Sequence, residues 1–191
     1  MARKSKRTVP YRRKKEGKTN YKKRLTLLKS KKYRLVIRMF NKNVIAQLVE
    51  YHPKGDKIIA NASSKELEKR YGWKLSRSNM SAAYLVGLLI GKKAKGREAI
   101  LDTGVYNVIA GSKMYAALKG AVDAGLKIPF EKEVFPSEDR IQGKHVAEYA
   151  KLLKNNDEKY KKQFSLYLKN NIKPEEFEKY FKETREKILK D

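Results

Sequence analysis

The feature that most constrains this sequence is a run of positive charge that leads into a short apolar segment. Residues 1–24 contain a single acid, Glu16, among many lysines and arginines, and Leu35, Val36 and Ile37 follow soon after. A block of like charge cannot bury itself and usually stays disordered until a partner neutralises it. The apolar segment, in contrast, has to enter a core. We therefore expect a basic arm attached to a folded domain.

The whole chain shares the basic character of the arm. Its 191 residues include 47 Lys and Arg against 21 Asp and Glu, which gives a formal net charge of +26. Such an excess costs self-repulsion unless a polyanion relieves it, so nucleic acid is the first candidate partner and an anionic membrane surface the second. The arm lacks the amphipathic helix or lipidation motif that a membrane anchor usually has. A tail that only aids solubility is disfavoured, because acids serve solubility better than bases do. The composition therefore favours structured RNA.

Other classes of protein are excluded by what the sequence lacks. It has no Cys, so disulfide frameworks and thiol catalysis are ruled out, and its two histidines, His52 and His145, are interpreted as ordinary surface or cap residues. The apolar run 82–90 is interrupted by Gly87 and is too short for a membrane span. The spacing from Gly87 to Lys93 is too short for a phosphate-binding P-loop. With no apolar signal-peptide core at the N-terminus, we expect a cytoplasmic location.

The fold is predicted from apolar segments that alternate with turn residues along the chain. Apolar segments separated by short turns predict an antiparallel meander, and a later strand that follows helices should pair in parallel through a right-handed crossover. The fold class is therefore α/β: a mixed sheet with an antiparallel three-strand meander plus one parallel strand, with helices packed on it. The predicted strands are 33–39, 44–50, 57–60 and 98–101, and the predicted helices are one capped by Ser64, one over 80–91 capped by Ser78 or Asn79, and one over 112–124.

The composition of the chain changes near residue 141. Three amphipathic segments, 146–154, 158–168 and 175–189, predict a helical C-terminal extension that adds no strand. The aromatic residues of these segments are interpreted as helix packing, and a docking surface for a partner is the alternative. The chain is thus divided into a basic RNA-binding arm (1–24), an α/β domain (25–140) and a C-terminal extension (141–191).

The order of the predicted elements invites comparison with RNase H-like nucleases. Two-metal nucleases need several carboxylates that converge on a pair of ions. Here the first strand has no acid, Asp102 stands alone at a strand end, and Asp123 and Glu50 fall on a helix and near a turn. We therefore predict no enzyme, no catalytic residues, no metal and no cofactor. A metal-dependent nuclease stays an alternative that changing Asp102 would test.

Several stretches of the sequence together resemble a known family. They are RKKEGKTNY at 13–21 followed by Arg24-Leu25, RLVIRMFNK at 34–42, AAYLVGLL at 82–89, LDTG at 101–104, ALKGAVDAG at 117–125 and PSEDRIQG at 136–143. These stretches resemble the 5S rRNA-binding L-eighteen family of large-subunit ribosomal proteins, called L-five in eukaryotes. The length and the C-terminal helices resemble the archaeal type. Asn20 stands where many members have Asp, which changes the charge beside RNA but keeps a hydrogen-bond acceptor.

The resemblance implies a function and a set of partners. It implies a structural constituent of the large ribosomal subunit that binds 5S rRNA and helps to attach it to large-subunit rRNA in the central protuberance. The implied partners are 5S rRNA, large-subunit rRNA and the neighbouring 5S-binding protein L-five (bacterial and archaeal naming), with no membrane and no homo-oligomer. A generic RNA-binding chaperone or coating protein is the alternative function.

The predicted RNA contacts fall into an arm that supplies affinity and more rigid positions that set register. The arm should follow RNA grooves and fold on binding, with its tyrosines stacking or bonding to sugars. The predicted arm contacts are Arg3, Lys4, Arg7, Tyr11, Arg12, Arg13, Lys14, Lys15, Lys18, Thr19, Asn20, Tyr21 and Arg24. The predicted contacts on the folded part are Arg34, Arg38, Asn41, Lys42, Lys92, Lys93, Arg97, Arg140 and Lys144.

Overall fold

A four-stranded sheet with helices packed on it forms the centre of the computed structural model, which describes residues 9–107 and 109–191. In chain order the elements are α1 (Arg12–Lys15), α2 (Tyr21–Leu28), β1 (Tyr33–Met39), β2 (Val44–Glu50), β3 (Lys57–Ser63), α3 (Ser64–Tyr71), α4 (Met80–Lys93), β4 (Ala99–Asp102), α5 (Lys113–Asp123), α6 (Glu138–Gln142), α7 (Lys144–Leu153), α8 (Asp157–Gln163), α9 (Ser165–Lys169) and α10 (Phe177–Lys190), with short 3₁₀ turns at Lys132–Val134 and Pro174–Glu176.

The sheet has the order β3-β2-β1-β4. Strands β1 and β2 pair antiparallel, with Leu35 opposite Leu48. Strand β3 pairs antiparallel with β2, and the register of this pair shifts at a bulge between Leu48 and Val49. Strand β4 pairs with β1 in parallel, with Leu101 opposite Leu35. The predicted fold class, a mixed sheet of three antiparallel strands and one parallel strand with helices packed on it, is confirmed.

Helix α4 is the central element of the core. Every residue from Ser81 to Gly91 is buried, because the helix packs on β2 and β3 along one side and on α3, α5 and α10 along others. Asn79 begins the helix, and its side-chain oxygen accepts a hydrogen bond from the Ala82 N–H at 2.7 Å. The prediction of a buried helix capped at Ser78 or Asn79 is therefore confirmed, with Asn79 as the cap.

Several predicted boundaries were wrong by a few residues. The cap of α3 is Ser63 rather than Ser64, because β3 continues to Ser63, whose hydroxyl accepts from the Glu66 N–H at 3.4 Å. Ser64 lies one residue inside the helix, fully buried, and its hydroxyl accepts from the Val44 N–H at 3.0 Å. Strand β4 ends at Asp102, one residue beyond the prediction.

The C-terminal helices pack on the same core as the sheet. Phe177 and Phe181 of α10 are buried, and the Phe177 ring meets Trp73 edge-on at 6.1 Å between ring centroids. The predicted helix over 158–168 is instead two short helices, α8 and α9, that meet at the buried Phe164. Residues 141–191, all of which are described, add no strand, as predicted.

Within residues 9–107 and 109–191, no helix combines the length and apolar character that a bilayer crossing requires.

Candidate nucleic-acid interface

The described part of the predicted basic arm, residues 9–24, forms one local structure with residues 25–32 that follow it, and from here the arm means residues 9–32. Helices α1 and α2 are joined by a turn at Gly17, whose φ is +66°. The Arg13 Nε donates to the Thr19 hydroxyl at 2.9 Å, and the Asn20 side chain accepts from the Lys23 N–H at 3.0 Å, which caps α2. The rings of Tyr11 and Tyr21 pack at 5.1 Å between centroids.

These local contacts leave most of the charge of the arm facing solvent. Glu16 accepts from Lys18 at 2.8 Å and lies 3.6 Å from Arg12, so one acid is shared between two cations. Tyr11 is 71% exposed and therefore presents a flat aromatic surface beside the cations. The exposed cations of the described arm are Arg12, Arg13, Lys14, Lys15, Lys18, Lys22, Lys29, Lys31 and Lys32.

Helix α2 is held against the sheet by a line of alternating charges. The guanidinium of Arg24 donates to both carboxylate oxygens of Asp56, each at 2.8 Å. Asp56 also accepts from Arg34 of β1 at 2.6 Å, and Arg34 donates to Asp102 at 2.7 Å. A second contact runs from the ammonium group of Lys23 to the Thr103 hydroxyl.

The electrostatics of Asp56 follow from these contacts. Burial alone would raise the pKa of the Asp56 carboxyl, but the hydrogen bonds from Arg24 and Arg34 outweigh it and lower that pKa below its usual range. The same contact raises the pKa of Arg24, chiefly through the hydrogen bond to Asp56. The carboxylate is therefore charged and engaged at neutral pH.

Arg34 does not occupy the surface position that the sequence suggested. Its side chain is 3% exposed and it donates to two carboxylates, so its charge is compensated inside the protein. Its guanidinium is therefore engaged inside the protein and not presented at the surface. Arg24, whose side chain is 28% exposed, is likewise engaged, by Asp56. The structure thus places both arginines in the docking of the arm.

The turn between β1 and β2 presents the other predicted rigid patch. Arg38, Asn41 and Lys42 are exposed there. The turn is closed by a hydrogen bond from the Phe40 N–H to the Asn43 carbonyl at 2.8 Å, and the Ser78 hydroxyl donates to the Phe40 carbonyl at 2.9 Å. Fixed from two sides, this turn has the rigidity that a register-setting contact needs.

The remaining predicted cations lie at helix ends and connections, and most have protein partners. Lys92 donates to the carbonyl groups of Ile188 and Leu189, at 2.8 and 3.1 Å, so it holds the end of α10. Lys93 donates to the Asn61 carbonyl at 2.8 Å and pairs with Glu66. The guanidinium of Arg97 lies 5.7 Å from the centre of the Tyr33 ring, Lys144 pairs with Asp139, and Arg140 is exposed.

The position of Asp102 bears on the nuclease alternative. Its carboxylate accepts from Arg34 and from the Gly104 N–H at 2.9 Å, so both oxygens have protein donors. Over residues 9–107 and 109–191, no group of three or more His, Asp or Glu side chains is placed to hold a metal ion. The geometry gives this alternative no support.

Two parts of the interface were missed from the sequence. The first is the set of exposed lysines that follow the predicted arm, Lys29, Lys31 and Lys32, which the continuing basic composition could have indicated. The second is Asp56, which lies between the predicted strands 44–50 and 57–60 and was not among the predicted contacts. No local signal connects Asp56 to Arg24, because 32 residues separate them. The predicted contacts Arg3, Lys4 and Arg7 lie outside the described residues.

Comparison with known families decides the class of the protein. The sequence matches the family described as ribosomal large subunit proteins 60S L5 and 50S L18 over residues 5–97 and 93–131. These two stretches overlap and together span well over half of the chain. The chain belongs to this family of large-subunit ribosomal proteins.

Membership of the L5/L18 family confirms the resemblance found in the sequence. It makes the chain a ribosomal protein, part of a ribonucleoprotein that acts in translation, and it places the chain in the large ribosomal subunit, as predicted. The L5/L18 proteins are structural components of the ribosome, which fits the prediction that the chain is not an enzyme. RNA binding is typical of such proteins.

Proposed function

We propose that this L5/L18 family protein binds 5S rRNA and helps to attach it to large-subunit rRNA in the central protuberance, beside the 5S-binding protein L-five (bacterial and archaeal naming). The observation that carries the proposal is the structure of the arm. Its exposed cations lie between the two members of a tyrosine pair and after them in the sequence, and its second helix, α2, is docked on the sheet. A polyanion with exposed bases and sugars matches this combination of charge and aromatic surface.

The proposed mechanism divides the work between the arm and the sheet. The exposed cations of α1 neutralise phosphates, while Tyr11 stacks on a base or packs on a sugar. Arg38, Asn41 and Lys42 contact the RNA from the fixed β1–β2 turn and set the register. Side chains cannot enter the narrow major groove of A-form RNA, so recognition depends on the shape of the RNA and its exposed loops.

A gel-shift titration tests the proposal. The chain is titrated into 5S rRNA at about 150 mM salt with a large excess of tRNA, and we expect a discrete complex that survives the competitor. If about eight phosphates are neutralised, log K should fall against log salt with a slope of about −7. Displacement by tRNA in proportion to its mass would instead favour the generic RNA-coating function. A slope of only about −2 would contradict extensive phosphate contact.

A pair of double variants locates the contact on the arm. Lys14 and Lys15 in α1 and Lys161 and Lys162 in α8 are exposed neighbouring lysines, so changing each pair to Ala removes the same charge from two places. The Lys14→Ala/Lys15→Ala variant should bind more weakly and with a salt slope shallower by about 2. The Lys161→Ala/Lys162→Ala control should keep the slope of the parent protein. Equal effects of the two variants would remove the arm from the proposal.

A further inference from the structure

In this very basic protein, an acid, Asp56, joins the arm to the folded domain. Asp56 lies in the turn between β2 and β3, and three hydrogen bonds from Arg24 and Arg34 engage both of its carboxylate oxygens. Arg34 is in turn fixed by Asp102 and buried. A continuous line of charge-assisted hydrogen bonds therefore joins the arm to the interior of the sheet.

Apolar packing contributes little to the docking of α2. None of the eight residues of α2, all of which are described, is buried, and Leu25 is 62% exposed. The helix touches β4, and its specific contacts with the domain are polar: Arg24 to Asp56 and Lys23 to Thr103. A helix of this length is marginal in water on its own, so its position depends on such contacts. The bidentate pair is the strongest of them.

We propose that Asp56 is a positioning residue for RNA binding, which holds α2 on the sheet and so sets the orientation in which the exposed cations of the arm meet the RNA. This inference rests on the proposed RNA-binding function and adds to it a residue that does not itself contact RNA. It assigns Arg24 to the same task. When the docked arm is only a fraction of the population, the observed affinity falls by that fraction.

Changing Asp56 separates positioning from simple charge attraction, because the two predict opposite results. Asp56→Asn keeps the shape of the side chain and raises the net charge by one, and Asp157→Asn makes the same change at an 82% exposed site in α8. If charge alone governed binding, both variants would bind RNA as well as the parent or better. Positioning predicts about tenfold weaker binding for Asp56→Asn, as the docked fraction falls to about one tenth, and no loss for Asp157→Asn.

A double-mutant cycle tests whether Arg24 acts through Asp56. Arg24→Gln removes the partner on the arm and leaves the Asp56–Arg34 pair in place, so the interior of the domain is undisturbed. The double variant Arg24→Gln/Asp56→Asn should bind RNA no more weakly than the weaker of the two single variants. Losses that add would show that Arg24 contacts RNA directly, and would overturn the assignment of both residues to one contact.

Hydrogen exchange of the free, full-length chain provides a readout that needs no RNA. Backbone amides of α2 should exchange faster in Asp56→Asn and Arg24→Gln than in the parent or in Asp157→Asn, while those of α4 stay protected. Faster exchange without any loss of affinity for RNA would overturn the proposal, and so would unchanged exchange. If the parent shows no preference for 5S rRNA, the proposed function fails by itself, and the affinity comparison is then made with tRNA.

Discussion

A methyl group added to Gly87 should destabilise the protein, because α4 and α5 cross there with their backbones in contact. An ideal Cβ placed on Gly87 would lie 1.9 Å from the Ala117 carbonyl oxygen, and one on Gly120 would lie 2.1 Å from the Tyr84 carbonyl oxygen. Both obstacles are backbone atoms in helices, so no side-chain rotation can relieve the overlap. Gly87→Ala therefore forces the two helices apart.

Two opposing terms set the size of the effect. Replacing Gly by Ala inside a helix is favourable by about 1 kcal/mol through helix propensity. Overpacking a close-packed site costs about 3 kcal/mol, because the helices lose dispersion contacts along their whole crossing when they separate. The net loss is then about 2 kcal/mol, which lowers Tm by about 4–8 °C in a chain of this size.

Urea unfolding followed by circular dichroism measures this loss. Gly91→Ala serves as the graded comparison, since its Cβ would lie 2.4 Å from the Ala121 carbonyl oxygen, and it should cost less. Adding Ala117→Gly to Gly87→Ala should not restore stability, because the obstacle at Ala117 is its carbonyl group and not its side chain. A Gly87→Ala protein with an unchanged or higher urea midpoint would refute the backbone-contact argument.

Two further predictions concern the charges that hold the arm. Arg34→Met leaves the carboxylates of Asp56 and Asp102 without their shared cation and should cost about 3–5 kcal/mol in urea unfolding, whereas Arg38→Met, at an exposed position, should stay within about 0.5 kcal/mol of the parent. The pKa of Asp56 is lowered in the folded protein, so its contribution to stability is present above the ordinary carboxyl pKa of 3.8 and is lost as the pH falls below that value. We therefore measure the protection of the α2 amides from hydrogen exchange between pH 7 and 3. It should decrease at the acidic end of this range in the parent protein, and Asp56→Asn should show no such decrease.

The sheet and the central helix could be predicted because their signals are local. The boundaries of β1 and β2 are those predicted, since apolar alternation and turn residues act within a few positions of each other. Helix α4 is apolar on all sides and had to be buried. The division of residues 157–169 into α8 and α9 was not predicted, and the two helices meet at the buried Phe164, which packs near Tyr149 of α7 as well as near its own neighbour Tyr167.

The candidate interface was predictable in composition but not in the role of each cation. The alternation of β1 places Arg34 on the opposite face from Leu35 and Ile37, which in an open sheet is the solvent side. It is buried because Asp56 and Asp102, 22 and 68 residues away, meet it there under the arm. A list of basic residues carries no information about such distant partners.

In a chain with so large an excess of cations, the acids are the more informative residues. Every cation is a candidate for RNA, but one held by a carboxylate already has its charge compensated, as Arg34 is by Asp102 and Lys93 is by Glu66. The acids thus divide the cations into those that build the fold and those left facing solvent. Helix α1 has four cations, Arg12–Lys15, and the one acid beside it, Glu16, pairs with Arg12 and with Lys18. The charge of the described arm is therefore most available to RNA at α1.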